Sequence, residues 1–358
     1  MIRLITYCLL FFIGTNSYSG ELKDLFEDAE LDALAFISWE YRDDPDTDVS
    51  NLFRIRRGYL TIRQEVTDNI DFRMTLDVYD DDDGVEERLK YIYGKYTLPD
   101  WGFATNHNIR MGMIATPFLA FEQSINRYRM QGHMFSEWAD IYNSADLGIS
   151  YSMNFGGRVD STFRENVNSK NDGKYGSITI GAFNGPGYHD FELNSNKVIE
   201  GRISFRPFSE SLTGLQFTAF GLTGKGNPNP VSKTSPAWQT YIGMISYEQA
   251  DFRATAQYMS GKGNSTGEFS DVFGNALDNE GWSVFAEYVF KRRIHGIARY
   301  DVFQQNMDSP ESKRLKAMAG IAYDLTEGNF LLFDVEHTDF FLAEEPVTTY
   351  KFTLQLKV

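Results

Sequence analysis

The stretch from residue 108 to residue 156 constrains the fold more than any other part of the chain, because it holds two strand patterns joined by a long charged segment. In residues 108–116 apolar side chains alternate with residues that, apart from Ile114, are polar or small, which is the period of a strand with two unlike faces. Residues 144–156 repeat that alternation, with one apolar face and one face of small polar side chains. The segment 117–143 between them is too polar for a core helix and too long for an ordinary connection. This order predicts a barrel wall that is apolar outside and polar inside, with a loop that can fold into the bore.

The same alternation, interrupted by turn residues, continues through the rest of the chain and predicts sixteen strands. They cover residues 31–42, 51–66, 70–80, 86–98, 108–116, 144–156, 174–183, 197–207, 213–224, 237–247, 250–261, 280–290, 293–305, 312–324, 329–340 and 347–358. A closed antiparallel barrel of the bacterial outer membrane needs an even number of strands, and closure leaves no unpaired strand edge in lipid. The predicted fold class is therefore all-β, a closed antiparallel transmembrane β-barrel with an inward-folded constriction loop after strand five.

Connections between the predicted strands alternate between short turns and longer loops rich in Gly, Asn and Pro, as expected of a barrel with two unlike rims. The short turns include residues 67–69, 248–249 and 291–292, and the longer loops include 185–196, 225–237 and 262–279. One connection breaks this alternation, because residues 157–173 stand where a short turn is expected. The sequence therefore predicts either a longer sixth strand or an inserted segment at the periplasmic rim.

Charged side chains of the predicted strands fall on one face, which is expected to line water. In the last strand Lys351 and Lys357 share a face with Gln355, whereas Tyr350 and Phe352 lie on the other face. A charge facing hydrocarbon at mid-depth would cost roughly 2–4 kcal/mol. The alternative is a soluble β-sandwich or a lipocalin-like shell, since alternation alone does not show which face is inside. Aromatic residues near strand ends favour the membrane barrel, whose interfaces carry aromatic girdles; they are Trp39, Tyr41, Tyr96, Trp101, Trp238, Trp282, Phe290, Phe340 and Phe341.

The first twenty residues predict an export signal, because Arg3 precedes an apolar run that ends at Ile13 and small residues with cleavage spacing follow. Residues 21–358 are then expected to form one barrel domain in the bacterial outer membrane. The single cysteine, Cys8, lies in the signal, so the mature chain is expected to lack disulfides, thiolate metal sites and cysteine nucleophiles. No later apolar run approaches the roughly 18 residues that cross a bilayer as a helix.

Other chemistry finds little support in the sequence. The net charge of -16 argues against nucleic acid as a partner, since phosphate binding needs a basic face. Residues 263–267 read GNSTG, a formal match to a nucleophile elbow, but Ser265 lacks the strand before it and the helix after it that this motif needs. The acidic run 80–83 does not fit the calcium-loop template. The five histidines show no metal-ligand spacing, so no enzyme activity, metal site or cofactor is predicted.

Several segments carry a resemblance to a known family. Residues 53–60 (FRIRRGYL) form an arginine-rich early strand, 109–123 (IRMGMIATPFLAFEQ) run from a strand into Thr-Pro-Phe and a glutamate, and 145–155 (ADLGISYSMNF) begin with Asp-Leu-Gly after the predicted loop. In their order and spacing these segments resemble the phosphate-selective porin O and P family of Gram-negative outer membranes. Further similar segments are 178–187, 198–208 and 296–306.

This resemblance implies a homotrimeric porin that contacts outer-membrane lipid and lipopolysaccharide and lets small hydrophilic solutes or ions diffuse, with anions such as phosphate among them. The chain departs from the family at two positions, where Ala115 replaces a frequent lysine and Val358 replaces a terminal aromatic residue. The excess of acidic residues over the whole chain also weakens the transfer of an anion preference.

The loop 117–143 is the candidate pore constriction, because a barrel of this size leaves an aqueous bore that something must narrow. Arginine suits phosphate or carboxylate, since its fork donates two hydrogen bonds and stays charged. If loop and wall arginines form a ladder, replacing Arg127 and Arg129 by alanine should shift ion preference toward cations. The candidate constriction residues are Glu122, Arg127, Tyr128, Arg129, Glu137 and Asp140. The candidate pore-wall residues are Arg54, Arg56, Arg73, Arg110, Arg202, Arg299 and Asp301.

Alternatives stay open at this point. The acidic residues of the loop could set up a transverse field, or the charges could simply hold the loop to the wall. A barrel of the same shape could carry cations or sugars along a slide of loop aromatic residues, which would be Phe118, Phe121, Tyr128, Phe135 and Trp138. A different class of function, an outer-membrane enzyme or an adhesin, would use the barrel only as a scaffold.

Overall fold

The computed structural model describes residues 29–44, 51–81, 84–291, 293–326, 328–340 and 345–358. The predicted export signal with Cys8, and Phe341 of the predicted girdles, lie outside these residues. Within them, sixteen strands form one closed barrel in which each strand pairs antiparallel with its neighbours in sequence, and the last strand pairs with the first. The prediction of a sixteen-stranded antiparallel barrel is confirmed.

The strands and helices are numbered here in chain order. The strands are β1 (Glu30–Asp43), β2 (Asn51–Thr67), β3 (Ile70–Asp81), β4 (Gly84–Thr97), β5 (Ala104–Ala115), β6 (Ala145–Phe155), β7 (Gly176–Phe183), β8 (Val198–Phe205), β9 (Gln216–Lys225), β10 (Ala237–Glu248), β11 (Phe252–Lys262), β12 (Asp278–Phe290), β13 (Ile294–Gln304), β14 (Lys313–Thr326), β15 (Asn329–Asp339) and β16 (Val347–Lys357). The helices are α1 (Pro117–Ile125), α2 (Phe135–Trp138) and α3 (Ser161–Asn166), with a 3-10 turn at Pro310–Ser312.

Strand β5 differs most from its prediction at its start, which lies at Ala104 instead of residue 108. The pairing of β5 with β6 shifts register between Thr105 and Asn108, and Asn106 has a positive φ of 53°. This irregularity breaks the period-2 pattern, so alternation could identify only the regular part of the strand.

The two faces of the barrel have the sidedness that the alternation predicted. On β16 Lys351 is 1% exposed and Thr353 is fully buried, whereas Phe352 between them is 46% exposed. The charged residues of β8, Glu200 and Arg202, are likewise buried on the inner face. A soluble sandwich or shell would bury the apolar face instead, so this distribution is that of a barrel whose outer surface meets hydrocarbon. Among the described residues, no helix is both long enough and apolar enough to cross a membrane.

The long connection between β6 and β7 is an insertion and not an extension of strand six. Strand β6 ends at Phe155, and α3 follows after a short irregular stretch. The Asp160 side chain caps α3 by accepting a hydrogen bond of 2.9 Å from the Phe163 backbone N–H. The insertion lies at the rim that carries the short turns, which in barrels of this kind is the periplasmic rim.

Candidate functional site: the constriction of the bore

The long connection after β5 folds into the barrel and covers one side of its inner wall. Helix α1 begins with Pro117 at its first turn, where the missing N–H costs nothing. Its apolar side chains, Phe118 among them, pack against Phe220 of β9 and Ile242 of β10. Further along, Tyr128 packs against Phe330 of β15 with ring centroids 5.8 Å apart. We call the strands β8–β15 the covered wall and the strands β2–β4 the open wall.

The aromatic residues of the loop lie between the loop and the covered wall. Phe118, Phe121, Tyr128 and Phe135 are all at most 3% exposed, so they do not line the bore. Only Trp138 is partly open, and it is covered by the guanidinium of Arg314 at 4.9 Å from the ring centroid. Four of the five residues that a sugar slide would need are therefore part of the apolar core that packs the loop against the covered wall.

Arg127 and Tyr128 hold the loop to β12. The Arg127 guanidinium donates to Glu287 Oε1 at 2.5 Å, and the Tyr128 hydroxyl donates to the same oxygen at 2.8 Å. Glu287 also accepts from Arg253 at 3.1 Å and contacts His295 at 2.9 Å. The charge of Arg127 is thus matched by a fully buried carboxylate of the wall. These are the contacts expected if the charges of the loop hold it to the barrel wall.

Arg129 lies on the opposite edge of the loop and faces the open wall. Its guanidinium donates to Glu137 at 2.5 Å, and Glu137 also accepts from the Met134 backbone N–H at 3.1 Å. Burial alone would raise the pKa of Glu137, but the charge of Arg129 beside it holds that pKa far below its usual range. The loop therefore presents a fixed ion pair toward the open wall.

Three basic residues of the open wall stand opposite Arg129. Arg57 of β2 donates to Asp77 of β3 at 2.8 Å, and Arg88 of β4 lies 3.5 Å from the same carboxylate. Lys90 of β4 is buried, and the nearest hydrogen-bond partner found for it is the Tyr59 hydroxyl at 3.4 Å. Arg129 is close enough for its charge to act on Arg57 and Lys90. We call Arg57, Arg88, Lys90 and Arg129 the basic cluster.

Aromatic rings and two histidines surround the basic cluster. The Arg88 guanidinium lies 3.8 Å from the ring centroid of Tyr79 and 5.1 Å from that of Tyr188, which comes from the loop after β7. His133 contacts Arg57 at 3.3 Å, and His189 contacts Arg88. Desolvation inside the bore and the neighbouring positive charges lower the pKa of His133 and that of His189 to about 3. Both rings are therefore neutral at neutral pH and add no charge of their own.

The remaining predicted constriction residues lie apart from this cluster. Glu122 of α1 is buried against β11 and accepts a hydrogen bond of 2.5 Å from Gln257. Burial raises the pKa of Glu122 to about 7, although the charge of Arg299 opposes the shift. Asp140 has a positive φ of 56°, is 60% exposed, and pairs with Arg314 of β14 at 2.9 Å.

The predicted pore-wall residues all lie on the inner face, but most are engaged by neighbours. Arg54 pairs with Asp80, Arg56 with Glu40, and Arg299 with Asp301. Arg202 donates to Ser177, Thr179 and Ser204 and covers the Phe121 ring. Arg73 donates to Thr75 and lies over the Tyr91 ring, and Arg110 of β5 stands beside Lys95 of β4.

The structure therefore divides the predicted constriction residues into separate groups. Arg129 and Glu137 face the open wall. Arg127, Tyr128 and Glu122 instead attach the loop to the covered wall. The sequence prediction missed Arg57, Arg88 and Lys90 as pore residues. The signal that could have identified them is a shift by one residue in the alternation along β2. The outward-facing residues are odd-numbered at Phe53 and Ile55 but even-numbered at Leu60 and Ile62.

The GNSTG segment and the acidic run form no recognisable catalytic or metal-binding arrangement among the described residues. Ser265 lies in the connection between β11 and β12, where its N–H donates to Ile141 and its carbonyl accepts from Asn227, with no helix following it. Asp80 of the acidic run pairs with Arg54, and residues 82–83 lie outside the described part of the chain. In the parts of the chain that are described, no group of acidic, histidine or cysteine side chains could hold a metal ion.

No family model matches the chain, and no curated protein matches it either. Solved structures do match. An anion-selective porin from Comamonas acidovorans has a TM-score of 0.66 and 13% sequence identity, over 92% of this chain and 99% of that one. The trimer form of OmpT, an outer membrane protein of Vibrio cholerae, has a TM-score of 0.58 at 10% identity, over 92% and 99% of the two chains. The outer membrane channel DcaP of Acinetobacter baumannii has a TM-score of 0.54 at 11% identity, over 92% and 96%. The likeness is one of fold, that of outer-membrane porins.

Proposed function

We propose that this chain forms a water-filled channel in the bacterial outer membrane through which small hydrophilic solutes diffuse passively, and that anions are favoured. The observation that carries the proposal is the basic cluster, set between the loop and the open wall at the narrowed part of the bore. Four basic side chains lie close together there. Among the described residues, the carboxylates that pair with them are those of Asp77 and Glu137. Such a site attracts anions without needing a positive chain overall, because the local field acts at short range.

The chemistry of the basic cluster suits small oxyanions, phosphate included. Arg57 and Arg88 are partly open to the bore, and an arginine fork can donate two hydrogen bonds to one oxyanion. Asp77 already accepts from both arginines, so a passing anion would share donors and not capture them. Sharing keeps binding loose, which conduction requires. The similar fold of an anion-selective porin supports this proposal.

The assembly and export of the chain belong to the same proposal. We infer that residues 1–20 are removed, that residues 21–358 form the barrel, and that three barrels associate in a membrane of lipid and lipopolysaccharide. The trimer form of an outer membrane protein of similar fold supports the third point. We assign no catalysis and no cofactor to the chain.

The test is a reversal-potential measurement on the purified protein in planar bilayers, with potassium chloride at unequal concentrations on the two sides. We expect single-channel steps and a reversal potential on the anion side. A reversal potential on the cation side would refute the anion preference but keep the channel. A correctly folded protein that gives no conductance steps would refute the channel itself.

A further inference from the structure

The insertion between β6 and β7 folds into the bore at the periplasmic end of the barrel. We call residues 157–173 the floor segment. Its backbone carbonyls accept hydrogen bonds from inward-facing wall arginines: Arg206 donates to Gly173 at 2.5 Å and to Asn171 at 3.0 Å, and Arg253 donates to Val167 at 3.0 Å. The floor segment therefore spans the inner face from β8 to β11.

Buried polar side chains make this attachment specific. Asn168, which is itself buried, donates to the fully buried Glu248 of β10 at 2.9 Å. The Phe163 ring of α3 is buried and packs under the Arg206 guanidinium, 5.3 Å from its centroid. Asp172 accepts from Asn154 of β6 at 2.9 Å. Buried polar groups of this kind are costly unless each finds its partner, so they fix the segment in one position.

The floor segment also contacts the constriction loop. Asn168 donates to the backbone carbonyl of Ser124 at 3.0 Å, and Asn171 donates to the Ser124 hydroxyl. Ser124 is the penultimate residue of α1, so the floor supports the end of the helix that covers the wall. The two elements that enter the bore are therefore joined, one from each rim.

Lys170 lies in the floor segment between Asn168 and Asn171, the two asparagines that contact Ser124. The Lys170 side chain is exposed, and the charges that act on it most strongly come from the far side of the mouth, from Arg73 of β3, Lys357 of β16 and Arg63 of β2. Partial burial and these like charges lower the pKa of Lys170. Of the three, Arg63 is paired with Asp32, whereas Arg73 contacts Thr75 and the Tyr91 ring.

We propose that the floor segment is a second narrowing of the channel, in series with the constriction loop, and that Lys170 makes the remaining gap at the periplasmic exit selective for small anions such as chloride and inorganic phosphate. The inference rests on the proposed channel function, because only a channel has an exit to narrow. A solute thus passes the basic cluster first and then a gap bounded by Lys170 on one side and by Arg73 and Lys357 on the other.

The first experiment uses two lysines of the same connection. In Lys170→Gln the anion-to-cation permeability ratio, measured from reversal potentials in potassium chloride, is expected to fall about two-fold, as for loss of one charge several Å from the ion path in water. Lys174→Gln is the matched control, because Lys174 pairs with the exposed Glu210 of the β8–β9 connection at 3.2 Å and is not among the charges that act on Lys170. The Lys174 variant should keep the wild-type ratio.

The second experiment replaces residues 160–171 by a two-residue Asn-Gly turn and measures single-channel conductance. Conductance is expected to rise, since a series resistance is removed. Lys170→Gln changes an exposed side chain and should fold even if the shortened chain does not. A wild-type protein that conducts, with a Lys170 variant of unchanged ratio, would overturn the selective role of Lys170, and a folded shortened variant of unchanged conductance would overturn the second narrowing. Either result would leave the proposed channel intact. A wild-type protein without conductance would overturn both.

Discussion

The covered wall and the open wall of the bore both carry inward-facing arginines, but they use them differently. On the covered wall Arg253 and Arg127 converge on the buried Glu287, and Arg299 is held by Asp301. On the open wall Arg57 and Arg88 share one carboxylate, that of Asp77. An arginine in a pore is therefore not by itself a selectivity element.

The two walls offset the loss of water around their charges in different ways. A charge buried under a loop must be paired, because removing it from water costs several kcal/mol that only a close partner and good hydrogen bonds offset. The cations of the open wall are also largely out of water, with Lys90 4% exposed, but there the rings of Tyr59 and Tyr79 contact them beside the shared carboxylate. Aromatic faces therefore do on the open wall part of what carboxylates do beside Arg127, Arg253 and Arg299.

The largest expected effect concerns Glu122 on the covered wall. Its pKa is raised to about 7, so the folded protein holds this proton more tightly than the unfolded chain does. The loop packing is then fully stable below about pH 4.5 and loses stability as the pH rises to about 7, by up to about 3 kcal/mol. Glu122→Gln imitates the protonated side chain and should remove this dependence. The measurement is thermal unfolding of both proteins at pH 5 and pH 8.

Other groups also titrate between these pH values, so the informative quantity is the difference between the two proteins. The wild type should lose more thermal stability than Glu122→Gln on going from pH 5 to pH 8. Equal losses would show that the folded protein does not hold the Glu122 proton more tightly than the unfolded chain does, and would refute the raised pKa on the covered wall.

The second effect concerns the open wall. The double variant Arg57→Gln, Arg88→Gln should lower the anion-to-cation permeability ratio about thirty-fold, since each unit charge a few Å from the ion path is worth roughly 1 kcal/mol in water and the two together roughly 2 kcal/mol. Part of the change comes from Asp77, whose carboxylate loses both cations. Reversal potentials in asymmetric potassium chloride measure the ratio.

Two controls separate these contributions. Adding Asp77→Asn to the double variant should restore part of the ratio, because the unmatched negative charge is removed. Lys225→Gln removes a basic side chain on the exposed side of β9 and should leave the ratio unchanged. If Lys225→Gln lowers the ratio as much as the double variant does, total charge and not the basic cluster sets selectivity.

The barrel itself could be predicted from the sequence because its signal is repeated. The same period recurs along most of the wall, the two faces differ in chemistry, and closure demands an even count. The inserted segment could be predicted only as an exception to the rim pattern. Its attachment to Arg206, Glu248 and Ser124 depends on residues far apart in the chain that no local pattern links.

Three members of the basic cluster, Arg57, Arg88 and Lys90, escaped prediction because of two bulges. On β2 the partners of Phe36 and Ile37 are Arg57 and Ile55, so Arg56 is an extra residue and Arg57 turns inward against the strict alternation. On β4 the pairing skips Lys90 in the same way. Each bulge moves one more basic side chain toward the bore, next to the constriction. A pattern that assumes period 2 throughout assigns such residues to the wrong face.

The smallest expected effect is that of Arg127→Gln, and it tests the comparison most directly. Arg127 was predicted alongside Arg129 as a selectivity residue, yet its charge is matched by Glu287, which keeps Arg253 and His295 as partners when Arg127 is removed. We therefore expect the permeability ratio to change by less than about 1.5-fold, well below the change for the open-wall variant. Reversal potentials recorded under the same salt gradient give both numbers. If the permeability ratio of the Arg127 variant fell as much as that of the double variant, the charges that attach the loop to the wall would also determine ion selectivity.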